Sequence, residues 1–186
     1  MTYFNQDIPR KYYWIYITYN DVNWILSIQN KCKKIKVVLT DVDGVLTDGG
    51  MYYTKDGDIM KRFHARDGMG VTLLRKNKIP TVIVTKESTE MVKKWAKNMK
   101  VSKLYDGIKQ KEKIINKICS EFKVKNEEIA YIGDDVNDIE LLTKVGLSAS
   151  PADAIKEVKK ISDYVCKTKS GEGVFREICD LILSKK

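Results

Sequence analysis

Asp41 and Asp43 stand one residue apart at the end of a β-branched run, Ile35-Lys-Val-Val-Leu-Thr40, with Gly44 directly behind them. A strand that stops here puts two carboxylates at its carboxyl end, where open α/β sheets bind ligands. Two like charges this close are costly unless a cation or a proton sits between them. The pattern suggests a metal site, a nucleophile with an acid/base partner, or both. An ordinary Asp-Gly turn after a strand is the structural alternative.

A second acidic group follows Ile129-Ala-Tyr-Ile132, where the chain reads Gly133-Asp134-Asp135-Val-Asn-Asp138. One acid would suffice to cap the next helix, and here there are three. Hard oxygen donors of this kind suit Mg2+, which takes one or two carboxylates plus water and substrate phosphate. Thr85 closes another apolar run, and its hydroxyl and backbone N–H are suited to a phosphoryl oxygen. Lys111 opens a helical stretch, and a lysine there supplies a point charge for phosphate. Taken singly, a threonine at a strand end and one lysine among many are ordinary. Together the residues make an aspartate nucleophile, an acid/base neighbour, a phosphate-binding hydroxyl, a cation and a metal-binding loop. Such a set can form and hydrolyse an aspartyl phosphate.

Positioning them requires a parallel sheet. From residue 35 on, short β-branched runs alternate with helical patterns, which predicts an α/β fold with a Rossmann-like parallel sheet flanked by helices. Strands are expected near 35–40, 79–84, 103–105, 129–132, 146–149 and 163–165. Helices are expected over 67–77, 87–99, 108–122, 136–145, 151–160 and 173–184, the fifth with Ser150 as N-cap and Pro151 at its first position. Met51–Phe63 reads as a β-hairpin turning at Asp56-Gly57, a flap over the site. No insertion is long enough for a cap domain. Residues 1–30 hold Trp14, Trp24 and many tyrosines without a clear period, and are set apart as an extension of unknown role from a domain over 31–186.

Composition narrows the function. The 186 residues, 43% apolar, are enough for one core, and no stretch reads as a membrane span or signal peptide. Cys32, Cys119, Cys166 and Cys179 form no Cys-x-x-Cys pair, which argues for reduced thiols in a cytoplasmic protein. The net charge of +9 is spread along the helices without a basic block, so nucleic acid is not an expected partner.

The chain resembles the haloacid dehalogenase superfamily phosphatases over residues 33–184. Asp41-Val-Asp43-Gly-Val matches the first family motif, Thr85 the second, Lys111 the third and Gly133-Asp134-Asp135-x-x-Asp138 the fourth. More narrowly it is similar to the capless branch acting on 3-deoxy-octulosonate 8-phosphate and nonulosonate 9-phosphates of sialic-acid type. Thr40–Gly50, the hairpin, Arg66-Asp-Gly-x-Gly70 and Gly171–Glu177 carry that likeness. The resemblance implies an Mg2+-dependent homotetramer in which one subunit's hairpin helps close a neighbour's site. It implies Asp41 as nucleophile and Asp43 as general acid and then base. Metal would lie between the Asp41 carboxylate, the Asp43 backbone carbonyl and Asp134. Asp135 and Asp138 would support metal waters or orient Lys111, while Thr85 and Lys111 hold the phosphoryl group.

Substrate choice hangs on Thr85-Lys86-Glu87. In the family the middle residue is often glycine, and a following Glu accompanies nine-carbon acids where Arg accompanies eight-carbon ones. Glu87 therefore leans toward a nonulosonate 9-phosphate. Lys86 either distorts the turn or adds a cation near the substrate carboxylate. Arg66 is a further candidate contact, as is the Trp95–Asn98 stretch. Arg66, Asp67 and Arg176 suit the site or the fold equally, and His64 suits a structural or entrance role. The rival reading is a catalytically weak tetramerisation domain of the same fold, linked to sugar-nucleotide synthesis.

Overall fold

The structure, a computed structural model, describes residues 19–186. Its centre is a six-stranded parallel sheet ordered β5, β4, β1, β6, β7, β8. These strands are β1 (Val37–Thr40), β4 (Thr81–Val84), β5 (Lys103–Tyr105), β6 (Ile129–Ile132), β7 (Leu147–Ser150) and β8 (Tyr164–Val165). A separate antiparallel pair, β2 (Tyr52–Thr54) and β3 (Gly57–Met60), forms the flap. Among the described residues there is no cap domain.

Alternation along the strands splits the core in two. Val38, Ile83, Ala130 and Ile132 face one apolar cluster, whereas Val37, Leu39, Val82, Val84, Ile129 and Tyr131 face the other. The first side is covered by α1 (Tyr19–Lys34), α2 (Ala65–Lys76), α3 (Glu90–Met99) and α7 (Val174–Leu183). The second is covered by α4 (Ile115–Phe122), α5 (Ile139–Leu142) and α6 (Lys156–Ile161). The chain steps from β1 outward to β5, then returns to β1's other side as β6, so the switch point of the sheet lies between β1 and β6. Thr40 aligns with Ile83 and with Ile132, which brings Asp41, Thr85 and Gly133 out at one edge.

Several element boundaries differ from expectation for identifiable reasons. The boundary set at residues 30 and 31 falls inside α1, whose Ile28 and Cys32 are buried in the core and whose Trp24 ring stacks on Tyr164 at 6.2 Å. Residues 1–18 of the expected extension lie outside the described residues. The flap turns at Lys55-Asp56, one residue early, because Gly57 already pairs with Thr54. The α3 helix starts at Glu90 because Thr89 caps it, its Oγ1 accepting from Val92 N–H at 3.4 Å. Ile108 N–H donates to the Thr85 carbonyl at 3.0 Å, and helical structure begins only at the 3-10 turn Lys111–Ile114. The stretch 136–145 is likewise shorter than expected, a 3-10 turn Val136–Asp138 leading into α5. Ser150 is the last residue of β7 and caps nothing. The following loop is diverted, Ile155 N–H donating to the Asp134 carbonyl at 3.1 Å, so α6 waits until Lys156.

Candidate active site

Asp41 leaves β1 with its backbone N–H still on the sheet, donating to the Ile132 carbonyl at 3.1 Å. Its Oδ1 accepts from Val42 N–H at 2.7 Å and its Oδ2 pairs with Lys111 Nζ at 2.7 Å. Lys111 is fully buried and reaches Asp138 Oδ1 at 2.7 Å and the Tyr131 hydroxyl at 3.4 Å. Burial alone would lower the Lys111 ammonium, but the charges of Asp41 and Asp138 outweigh it and keep the group protonated. Tyr131, pushed well up by burial and then by Asp138, stays a phenol and donates to Asp138 Oδ1 at 2.5 Å.

Asp138 is the anchor of this loop. Its second oxygen accepts from the backbone N–H groups of Asp134 at 2.9 Å and Asp135 at 3.2 Å. Gly133 gives it room, since a Cβ there would sit 2.5 Å from Asp138 Cγ. Asp138 therefore orients Lys111 and shapes the turn. Asp135 is exposed and caps the 3-10 turn, its Oδ1 accepting from Val136 N–H at 2.7 Å.

Asp41, Asp134 and Asp138 each offer an oxygen within 4.8 Å of the others. With Asp138 engaged by four donors, the oxygens left for a cation belong to Asp41 and Asp134. Asp134 Oδ1 is buried without a hydrogen-bond partner among the described residues. Burial, then the charges of Asp41 and Asp138, push the Asp134 carboxyl up to about 8. Burial likewise raises Asp41, to about 7, against the pull of Lys111. Carboxyls so frustrated and an orphaned acceptor fit a hard divalent cation such as Mg2+. Gly44 makes the approach possible: its φ is +86° and a Cβ would lie 2.0 Å from Asp134 Oδ2.

Asp43 faces the same cavity, of about 150 Å3, lined by Asp41, Asp43, Thr85, Lys86, Glu87, Asp134, Asp135 and Asn137. Its Oδ1 accepts from Lys61 Nζ at 2.6 Å and Thr47 Oγ1 at 3.2 Å. Lys61 also reaches Asp58 Oδ2 at 3.3 Å. Burial acts to lower the Lys61 ammonium, yet Asp43 and Asp58 raise it above the usual lysine range.

Thr85 is only half available as expected. Its N–H is committed to the Tyr105 carbonyl at 2.9 Å, which leaves the hydroxyl for phosphate. Lys86 and Glu87 are exposed at the cavity. Positive φ outside glycine occurs only at Lys78, Lys100 and Lys123 among the described residues, so Lys86 does not strain its turn. Arg66 lies away from this cavity, beside Glu172 and Arg176. Trp95 stacks on Phe63 at 4.9 Å, lining a different cleft. His64 caps α2, its Nδ1 accepting from Arg66 N–H at 3.2 Å. Lys61, Thr47 and Tyr131 were not among the expected site residues. Tyr131 reads as an ordinary strand residue, and the other two act only through the fold of the loop and flap.

Residues 86–178 match the haloacid dehalogenase-like hydrolase family. The chain is 36% identical over 156 residues to the 3-deoxy-D-manno-octulosonate 8-phosphate phosphatase KdsC of Haemophilus influenzae, covering 84% of this chain and 87% of that one. Its fold is similar to the crystal structure of the corresponding Yersinia pestis phosphatase, with a TM-score of 0.83, 33% identity and 86% of each chain covered. It is equally similar to the Moraxella catarrhalis enzyme in complex with magnesium, phosphate and KDO, at a TM-score of 0.83 and 32% identity, covering 86% of this chain and 91% of that one. The chain belongs to the haloacid dehalogenase-like hydrolases. Within that family it is a phosphatase.

Proposed function

We propose that this chain hydrolyses the phosphomonoester of a 2-keto-3-deoxy sugar acid through an aspartyl phosphate at Asp41, with 3-deoxy-octulosonate 8-phosphate as the first substrate. The observation that carries the chemistry is the convergence of Asp41, Asp43, Thr85 and Asp134 on one small cavity, with Lys111 buried behind Asp41. A carboxylate oxygen of Asp41 attacks phosphorus as the bond to the sugar oxygen breaks. Asp43 gives its proton to the departing alkoxide. Water then attacks phosphorus, Asp43 takes the proton, and Asp41 and inorganic phosphate are released. Thr85 and Lys111 orient the group and offset its charge. Asp41 and Asp134 would hold Mg2+, which neutralises phosphoryl charge when bound.

The eight-carbon substrate is supported by the relatives, whose names specify it. A specific observation favours the nine-carbon alternative, namely Glu87 at the cavity. The rival reading is a catalytically weak assembly domain, for which the departure at Lys86 speaks; that Lys86 takes no positive φ weighs against it.

A cavity of about 150 Å3 takes a phosphoryl group and little more, so the sugar acid must rest on the rim. The flap exposes Met51, Tyr53 and Ile59 at 70%, 63% and 60%, an apolar set suited to a covering partner. We read this as a homotetramer whose flaps close neighbouring sites. The four cysteines, all free thiols, support a cytoplasmic setting. The catalytic unit is taken to run from α1 onward, with the preceding residues an extension of unassigned role.

Phosphate release with Mg2+ from octulosonate 8-phosphate, nonulosonate 9-phosphates and hexose phosphates tests the reading. Preference for the eight-carbon acid is expected. Preference for a nine-carbon acid would transfer the assignment to Glu87's substrate, and turnover of hexose phosphates alone would overturn it.

A further inference from the structure

Asp43 is held by one oxygen only. Lys61 and Thr47 both donate to Oδ1, whereas Oδ2 is buried and has no partner among the described residues. The Lys61 side chain is itself only 6% exposed, unusual for a lysine on a flap. It is gripped from behind by Asp58 on β3. Arg62 beside it pairs with Asp48 at 3.1 Å, so consecutive basic residues tie the base of the flap to the loop that carries Asp43. A lysine serving only as a staple would be as well placed on the exposed Asp48, and would not need to be buried against Asp43.

We propose that Lys61 is a positioning residue for the reaction, fixing the Asp43 carboxylate through Oδ1 so that Oδ2 is turned to the leaving oxygen. Acid catalysis thereby depends on the flap being seated. This rests on the reading of Asp43 as the acid/base. In the step concerned, the phosphorus–oxygen bond to the leaving group breaks as the bond to Asp41 forms, and the proton on Asp43 Oδ2 passes to the departing alkoxide. A leaving group that departs as a stable anion does not need that proton.

The test is kcat/KM, which reports the step up to leaving-group departure, for an alkyl phosphate (glycerol phosphate) and for p-nitrophenyl phosphate. Lys61→Met should lower it about 100-fold for the alkyl ester and less than about threefold for the nitrophenyl ester, general acid catalysis being worth about 100- to 10,000-fold. Lys61→Arg should recover most of the alkyl activity. The nitrophenyl rate also shows that the variant is folded. Equal losses on both substrates, or no loss on either, would overturn the proposal. Asp43→Asn measured alongside separates the two readings. If it shows no leaving-group bias, the acid/base assignment fails and the proposal with it. If it shows the bias and Lys61→Met does not, only the proposal fails. Neither result depends on which sugar acid is the substrate.

Discussion

Asp67 on α2 accepts the backbone N–H of Arg176 through Oδ1 at 2.9 Å and so caps α7 from 109 positions away. Gly173, at the N-cap position of α7, has no side chain to do so. The helix that closes one face of the core thus starts on a tertiary contact. Asp67→Ala should cost about 1–2 kcal/mol, read as a lower denaturant midpoint.

Asp67 also predicts a pH effect. Burial raises its carboxyl to about 7 from a usual value of 3.8, against the pull of the Arg176 and Phe175 N–H groups. A carboxyl whose pKa is higher folded than unfolded stabilises fully below its unfolded value, and that contribution fades as pH rises through the folded one. Asp67→Asn keeps an acceptor but cannot ionise. The wild type's stability relative to this variant should therefore fall between about pH 4 and about pH 8. Denaturant melts across that range check it, and a constant difference would contradict it.

Asp134 predicts a trade between stability and metal. Its buried, unpartnered oxygen beside Asp41 is a cost that a cation removes. Metal-free Asp134→Asn should melt above the metal-free wild type. Saturating Mg2+ should raise the wild-type Tm, a stabilisation of about 2.7 kcal/mol at a hundredfold excess over Kd. The variant should show no such rise. Equal Mg2+ responses in the two proteins would rule out Asp134 as a ligand.

Lys111 is fully buried between two acids, and removing it takes the counter-charge from both. Lys111→Met should destabilise by about 3–5 kcal/mol in metal-free buffer and also suppress turnover. An unchanged urea midpoint would mean that the pair is not formed in solution.

Two glycines with positive φ separate strain from site geometry. A Cβ at Gly44 would lie 2.0 Å from Asp134 Oδ2, whereas one at Gly57 meets nothing within 4 Å. Each Ala substitution carries backbone strain of about 1–3 kcal/mol. Only Gly44→Ala should also weaken Mg2+ binding, by about tenfold or more in a titration followed by activity.

The central strands β1, β4 and β6 were legible because they are short apolar runs whose alternate residues enter opposite cores, as Val37, Val38 and Leu39 do. The strand-end acids were legible for the same local reason, since Asp41, Asp134 and Asp138 lie within a few residues of β1 and β6. What was hidden depends on distant partners. Ser150 and Pro151 resemble a helix start, but the loop after them is pulled to Asp134. Lys61 reaches Asp43 only once the flap folds back across 18 positions. The contact between Asp67 and Arg176 has no local signature at all.

The central claim is that Asp41 takes the phosphoryl group. The most direct measurement is Mg2+-dependent phosphate release from 3-deoxy-octulosonate 8-phosphate by wild type and Asp41→Asn, with Tm recorded for both. Turnover by the wild type, and a loss of at least about 10,000-fold in a variant that melts no lower, is the expected result. Substantial phosphate release by folded Asp41→Asn would contradict it.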